Sequence, residues 1–266
     1  MPSWAGFDWE ASDTGTVADV GAAFAEDFSA SMPPRYRVLF DPRTTTKHAA
    51  VCFRRGTRPA HAEVWRTLAD GSAALCVVAD DRPGLLSAIA ASLVSHHLDV
   101  ITALVFSRVV PSGQEAVDLV WVRRANSDDK EPIDDDEAAS VGQVLSAILS
   151  GSISVEEIAA RTPASPPSAE ARMVVRFDDV DAEGLAPLFV EAPDRPGMLL
   201  AITLEVFQHG AQIVRSLVRT TGGRAFNHFD LAEFNGTSLT PERREQIRAA
   251  VYATLSLREG TGVAID

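Results

Sequence analysis

The segment Ala79-Asp80-Asp81-Arg82-Pro83-Gly84-Leu85-Leu86 returns as Ala192-Pro193-Asp194-Arg195-Pro196-Gly197-Met198-Leu199, an offset of 113 residues. A segment that recurs in register with its flanks marks a duplicated structural unit, and nothing else in the chain restricts the fold so much. At this offset Ile89 meets Ile202, Leu93 meets Val206, His96 meets His209, Val100 meets Ile213 and Val105 meets Val218. Further on, Asp118-Leu119 matches Asp230-Leu231 at an offset of 112, as expected if the turn Pro111-Ser112-Gly113 is one residue longer than Gly222-Gly223. Hairpin turns tolerate such insertions.

Each copy opens on an apolar run, Leu75-Cys76-Val77-Val78-Ala79 or Leu188-Phe189-Val190-Glu191-Ala192, that suits a strand with at least one buried face. Asp-Arg-Pro-Gly then interrupts it. Proline fixes φ and lacks the N–H that a first helical turn would orphan, while the preceding Asp is placed to cap, so a helix start is predicted. Leu85, Leu86, Ile89, Ala90, Leu93 and Val94 share one helical face, as do Met198, Leu199, Ile202, Thr203, Val206 and Phe207. His96 and His209 fall in the last turns, where the helix dipole favours them, and Gly210 stands where a C-terminal glycine cap belongs. Two strand-like runs follow each helix: Asp99 to Arg108 with Glu115 to Arg124, and Ala211 to Thr221 with Arg224 to Glu233. Each pair is joined through a glycine-containing turn and reads as an antiparallel hairpin. Second helices are predicted over Asp136 to Leu149 and from Thr240-Pro241-Glu242 onward.

This β-α-β-β-α order leaves one strand to find. Arg172 to Phe177 is the expected last strand of the first unit, reached through the capping box Ser154-x-x-Glu157 and the Pro-rich stretch Thr162 to Ala169. A similar strand, Ala62 to Leu68, precedes the first unit, and Gly262 to Ile265 remains for the second; the residues do not say which unit the first two of these strands join. The expected fold is α+β: two ferredoxin-like βαββαβ domains at 59–180 and 181–266, each an antiparallel sheet with helices on one face, after an N-terminal extension 1–58. Within that extension Val17 to Phe28 reads as helical.

The balance of 24 basic against 37 acidic residues, a formal charge of −13, argues against a nucleic-acid surface, which needs clustered Lys and Arg. Ser127 to Glu137 reads as a solvated acidic loop running into a helix start, without the alternating ligands of a calcium loop. The two cysteines are Cys52 and Cys76, the latter inside an apolar run, so neither a disulfide framework nor a thiolate metal site is expected. His48, His61, His97 and His228 show no metal-ligand spacing, and no metal or cofactor is predicted. The N-terminus has no basic and apolar signal pattern, and no run of about 18 apolar residues occurs. A cytoplasmic protein that neither crosses a membrane nor binds nucleic acid is expected.

Asp-Arg-Pro-Gly-Leu-Leu-x-x-Ile-Ala-x-x-Leu followed by a β-hairpin resembles the ACT-domain signature. Val175-Arg176-Phe177-Asp178 ahead of Glu191 to Leu199 resembles the tandem ACT tail of bacterial uridylyltransferases that modify the nitrogen-regulatory PII protein. Met32-Pro33-Pro34-Arg35-Tyr36 resembles the segment just before that tail. In such enzymes the ACT pair senses glutamine, while separate nucleotidyltransferase and phosphohydrolase domains do the catalysis. Neither the Gly-Ser and Asp-x-Asp pattern of the first nor the His-Asp pair of the second is found, so no catalytic residue is predicted. The resemblance implies a regulatory sensor of an amino acid, glutamine first, in nitrogen or amino-acid metabolism. A homodimer, with a regulated protein partner, is the expected assembly.

Buried amino-acid ligands need both charges satisfied. Backbone N–H groups at Gly84-Leu85-Leu86 and Gly197-Met198-Leu199 suit a carboxylate, and Asp81 and Asp194 suit an ammonium, with glycine allowing close approach. The resemblance adds Arg82, Pro83, Arg195 and Pro196. It also adds the start of the second strand across an ACT–ACT interface: Asp99, Ile101 and Ala103, or Gln212, Val214 and Ser216. Many ACT domains carry Asn near the first of these positions, where this chain has Asp99 in one unit and Gln212 in the other. A scaffold of ACT sheets pairing through exposed edges without ligand is the alternative, and a uridylyltransferase-related protein the third reading.

Overall fold

The computed structural model describes residues 21–125, 133–162 and 172–256. The expected strand at Gly262 to Ile265, most of the acidic loop and most of the Pro-rich stretch lie outside them. Three helices come first, α1 (Ala22–Ser31), α2 (Pro34–Leu39) and α3 (Pro42–Arg55). The first half continues with β1 (Ala60–Thr67), β2 (Ala73–Asp80), α4 (Leu85–Ser95), β3 (Leu98–Leu104), β4 (Ser107–Val110), β5 (Gly113–Arg124), α5 (Asp135–Leu149) and α6 (Val155–Arg161). The second half comprises β6 (Val174–Phe177), β7 (Ala186–Pro193), α7 (Met198–Gln208), β8 (Ala211–Thr221), β9 (Arg224–Glu233) and α8 (Pro241–Ser256).

All strands form one antiparallel sheet in the order β1-β2-β5-β3-β8-β9-β7-β6, with β4 paired to β5 off this path. The order reads alike from either end, so the duplicated halves are related by a pseudo-twofold axis between β3 and β8. They join there through Thr102 with Arg219, Ala103 with Val218 and Leu104 with Leu217. The expected α+β, ferredoxin-like halves are present, but the edge strand enters each half from its N-terminal side. Arg172 to Phe177 does not close the first unit: Val174–Phe177 pairs with β7, and Ala60–Thr67 pairs with β2. Both are adjacent in sequence to the strand they pair with, and antiparallel neighbours need only a short connection.

The ladders also correct the alignment of the halves. Leu98 opposes Arg124 and Ala211 opposes Glu233, so Arg124 corresponds to Glu233 and the last hairpin strands are offset by 109 residues. Asp118 therefore corresponds to Asn227, not Asp230. The match of Asp118-Leu119 with Asp230-Leu231 is a coincidence of two residues. In the first half the expected strand from Asp99 to Arg108 breaks after Leu104, and β4 makes its own tight turn with β5, Val110 opposing Gly113.

Alternation along β2 assigns two cores to two faces of the sheet. Leu75 and Val77 pack with Ile89, Leu93, Val141 and Leu145 from α4 and α5, in a cluster that continues into Ile202, Val206, Phe229 and Val251 of the second half. Ala74, Cys76 and Val78 face the other way, onto Phe28, Met32, Tyr36, Phe40, Trp65 and Trp121 under α1–α3. Every residue from Ala73 to Ala79 is consequently buried, whereas from Leu188 onward β7 alternates buried with half-buried positions because no described element covers its second face there. Of the expected helix Val17 to Phe28, residues 17–20 lie outside the described residues; α1 runs over Ala22–Ser31, past Phe28.

Candidate functional site

The two repeated loops adopt one conformation. Gly84 and Gly197 are the residues before α4 and α7, with φ of 83° and 75°, a left-handed region that glycine enters freely. The expected aspartate caps do not form, since neither helix start carries a side-chain cap. Asp81 instead accepts from the Ser107 hydroxyl, and its amide donates to the Gln114 carbonyl at 2.9 Å. The Leu85 and Met198 amides donate to the Arg82 and Arg195 carbonyls at 3.2 and 3.3 Å. Arg82 and Arg195 turn outward: their guanidiniums donate to the carbonyls of Leu149 and Thr254, tying each loop to the end of the second helix of its own half.

What faces each loop comes from the other half. A Cβ at Gly84 would stand 2.8 Å from the Phe207 ring of α7, so glycine there serves packing between halves as well as φ. Behind the first loop a cavity of about 20 Å³ is lined by Leu85, Leu86, Val105, Ala116 and Asp118 from one half and Thr203, Val206, Phe207, Ala211 and Ile213 from the other. That is room for roughly one water. Behind the second loop an equal cavity is lined by Met198, Leu199, Val218, Ala225 and Asn227, with Ala90, Val94, Leu98, Asp99 and Val100 across the seam. Apart from Val206 in the first and Asp99 in the second, the residues named correspond under the pseudo-twofold axis.

The copies have diverged where they meet solvent. In front of the first loop a cavity of about 530 Å³ is bounded by Asp81, Arg82, Ser107, Gln114, Gln212, Ile213 and Val214, by Glu183 and Arg215, and by Pro33-Pro34-Arg35 of the N-terminal helices. This lies within the ~300–1,000 Å³ span of small-molecule sites. Its charges are held by fixed partners. The Arg35 guanidinium donates to the Val105 carbonyl and lies 4.9 Å over the Phe106 ring; burial first, then nearby Arg215, lowers its pKa to about 10. Arg215 is held by Asp230 at 2.7 Å, by Glu183 at 3.3 Å and by Asp181. Gln212 donates to the Glu233 carbonyl at 3.0 Å, which leaves its amide oxygen for another donor.

Deeper in, Asp118 is fully buried with one oxygen accepting the Phe106 amide at 3.3 Å, and the other has no hydrogen-bond partner among the described residues. Burial, then the charge of Asp81, raises its carboxyl well above the ordinary range. At the second loop Asn227 takes this place, its amide donating to the Val190 carbonyl at 3.5 Å. In front of that loop, one Arg123 nitrogen lies 2.9 Å from Asp99 and 2.7 Å from Asp194. Thr162, following α6, stands where a Cβ on Gly197 would come within 2.8 Å of it.

Of the residues the sequence singles out, Asp81, Gly84, Leu85 and Leu86 therefore meet the second half, with Gln212 and Val214 on the outer cavity and Val214 a bulge residue exposed at its rim. Asp194, Gly197, Met198 and Leu199 share the lining of the second inner cavity with Asp99. Pro196 borders a separate cavity of about 370 Å³ beside α6. Ile101, at the matching bulge, packs against the aromatic cluster beneath α1–α3. Arg35, Ser107, Asp118, Arg123 and Phe207 were missed. The Met32 to Tyr36 segment was the signal for Arg35; the others depend on strand register and the seam. Both last-turn histidines bond back to their own helices, His96 with Ser92 at 2.8 Å and His209 with Glu205 at 2.9 Å. Among the described residues no cluster of three or more His, Cys, Asp or Glu is arranged to hold a metal.

No protein-family model matches the chain. Among curated proteins it is similar to bifunctional uridylyltransferase/uridylyl-removing enzymes. With that of Nitrobacter hamburgensis it is 26% identical over 231 residues, which cover 84% of this chain and 24% of the relative. With that of Rhodopseudomonas palustris it is 26% identical over 188 residues, 68% of this chain and 20% of the relative. With that of Rhodospirillum rubrum it is 24% identical over 248 residues, 90% and 26%. The chain thus spans only about a fifth to a quarter of these relatives' length. A crystal structure of an unknown protein from Galdieria sulphuraria matches 73% of this chain and 92% of its own at 17% identity, with a TM-score of 0.21.

Proposed function

We propose that the chain is a regulatory, non-catalytic sensor whose two halves are ACT domains, and that it binds a small amino acid, glutamine first, where the first loop meets Gln212. The observation that carries this is the 530 Å³ cavity at the seam, walled by loop, strand start and N-terminal segment together. A zwitterion finds partners of both signs there. The Arg35 and Arg82 guanidiniums, which border the cavity, suit its carboxylate. The free oxygen of Asp81 suits its ammonium, and Gln212 suits a side-chain amide. Similarity to part of the uridylyltransferase/uridylyl-removing enzymes fits a regulatory role in nitrogen metabolism. A cytoplasmic setting fits two buried free thiols, and among the described residues no helix is long and apolar enough to cross a membrane.

A thermal-shift screen against the amino acids tests this, with Gln212→Ala and Asp81→Asn as variants. A ligand at 100 times its Kd adds about 2.7 kcal/mol, a few degrees in Tm. Stabilisation by glutamine that both variants lose is the expected result; Gly84 is unsuitable to mutate, because any side chain there strikes Phe207. No shift with any amino acid would favour the scaffold reading. That reading draws on the sheet face of the second half that no described element covers, where Phe189 and Phe226 are half-buried and Arg176 lies 4.8 Å over the Phe189 ring.

A further inference from the structure

We infer that Arg123 is a built-in cation that closes the second site, so that the chain takes one ligand at the first loop and uses the second loop as a strut. This rests on the proposed reading of the first site and specifies its stoichiometry. Under the pseudo-twofold axis Asp194 corresponds to Asp81, Asp99 to Gln212 and Arg123 to Ala232, because Arg123 opposes Asp99 as Ala232 opposes Gln212. Where the first site has the Asp81 carboxylate and the Gln212 amide on an open cavity and only the buried Ala232 in place of the arginine, the second has two carboxylates with a guanidinium nitrogen between them, 2.9 and 2.7 Å away. The Asp99 and Asp194 side chains are only 8% and 10% exposed, so each would repel the other without a cation. A ligand ammonium entering the first site meets Asp81, which no described guanidinium occupies. At the second it would have to displace a tethered guanidinium that already satisfies both acids and binds β5 of one half to the loop of the other.

The test is a thermal cycle on the full chain, Asp194→Asn with and without Arg123→Ala, beside calorimetry with glutamine. In the unaltered background Asp194→Asn lowers Tm by a few degrees, and the loss shrinks in high salt. In the Arg123→Ala background the same change raises Tm, because it relieves the repulsion from Asp99. Equal losses in both backgrounds would overturn the inference. So would two glutamines bound per chain, whatever the cycle shows. One glutamine per chain together with the sign reversal supports it; the sign reversal with no glutamine bound keeps the closure and removes the sensor reading instead.

Discussion

Two fully buried titratable residues set opposite pH dependences on the stability of the first half. His48 sits under α3 with its ring Nδ1 2.6 Å from the Tyr36 hydroxyl, and burial lowers its pKa to about 3. The unfolded chain, with histidine's ordinary pKa of 6.5, binds the extra proton first. Stability is therefore present above pH 6.5 and lost as pH falls towards 3, at up to about 1.4 kcal/mol per pH unit. Asp118 has the reverse sign. Its folded pKa is raised, so its contribution is full in acid and declines as pH rises through the unfolded value near ~3.9. Urea titrations across pH should show His48→Gln flattening the acid limb. Asp118→Asn should melt higher than the unaltered chain at pH 8, the difference vanishing towards pH 4. A lower Tm for Asp118→Asn at pH 8 would mean that the ionised carboxylate is used in the fold. That Asn227 fills the same place in the other half argues that an amide fits.

Among elements, the N-terminal helices turn a one-faced sheet into a two-faced one. Phe28, Tyr36, Phe40 and Phe106 meet mainly edge to face, with Tyr36 5.9 Å from Phe28 and 5.2 Å from Phe106. Such pairs add to the area that each ring buries. α1 owes its place to this packing, since its start has no side-chain cap and its charges do not favour the dipole. α3, by contrast, is capped by Asp41, which accepts the Thr44 amide at 2.7 Å. Phe28→Ala, which empties a fully buried ring position, should cost about 3–5 kcal/mol in urea unfolding. A loss under 1 kcal/mol would show α1 to be dispensable. Because α2 also supplies Arg35 to the cavity wall, α1 variants that loosen this layer should weaken any ligand of the first site as well.

For the whole molecule, the continuous sheet and the cluster that runs from Leu75 through Ile202 to Val251 make the halves one cooperative unit. Trp65 and Trp121 are buried in the first half, so their fluorescence reports on it while circular dichroism reports on both halves. Thermal unfolding should give coincident midpoints by the two probes. A second, separate dichroism transition would show that the three residue pairs of the β3–β8 seam do not couple the halves.

The sequence by itself determined the duplication, the position of both loops and the face of each helix, because these depend on local spacing and on proline and glycine chemistry. Ala211 to Thr221 and Arg224 to Glu233 are strands over the residues the pattern indicated. The unbroken apolar run in β2, set against Glu191 in β7, already carried the difference between a sheet covered on both faces and one covered on a single face. Only the tertiary structure decided which half each edge strand joins, that Asp118 stands opposite Asn227 in the repeat, and that Arg123 reaches across to Asp194. Strand register and the pairing of halves join residues far apart in sequence, and no local periodicity encodes which of several compatible partners a strand edge or a buried charge will meet.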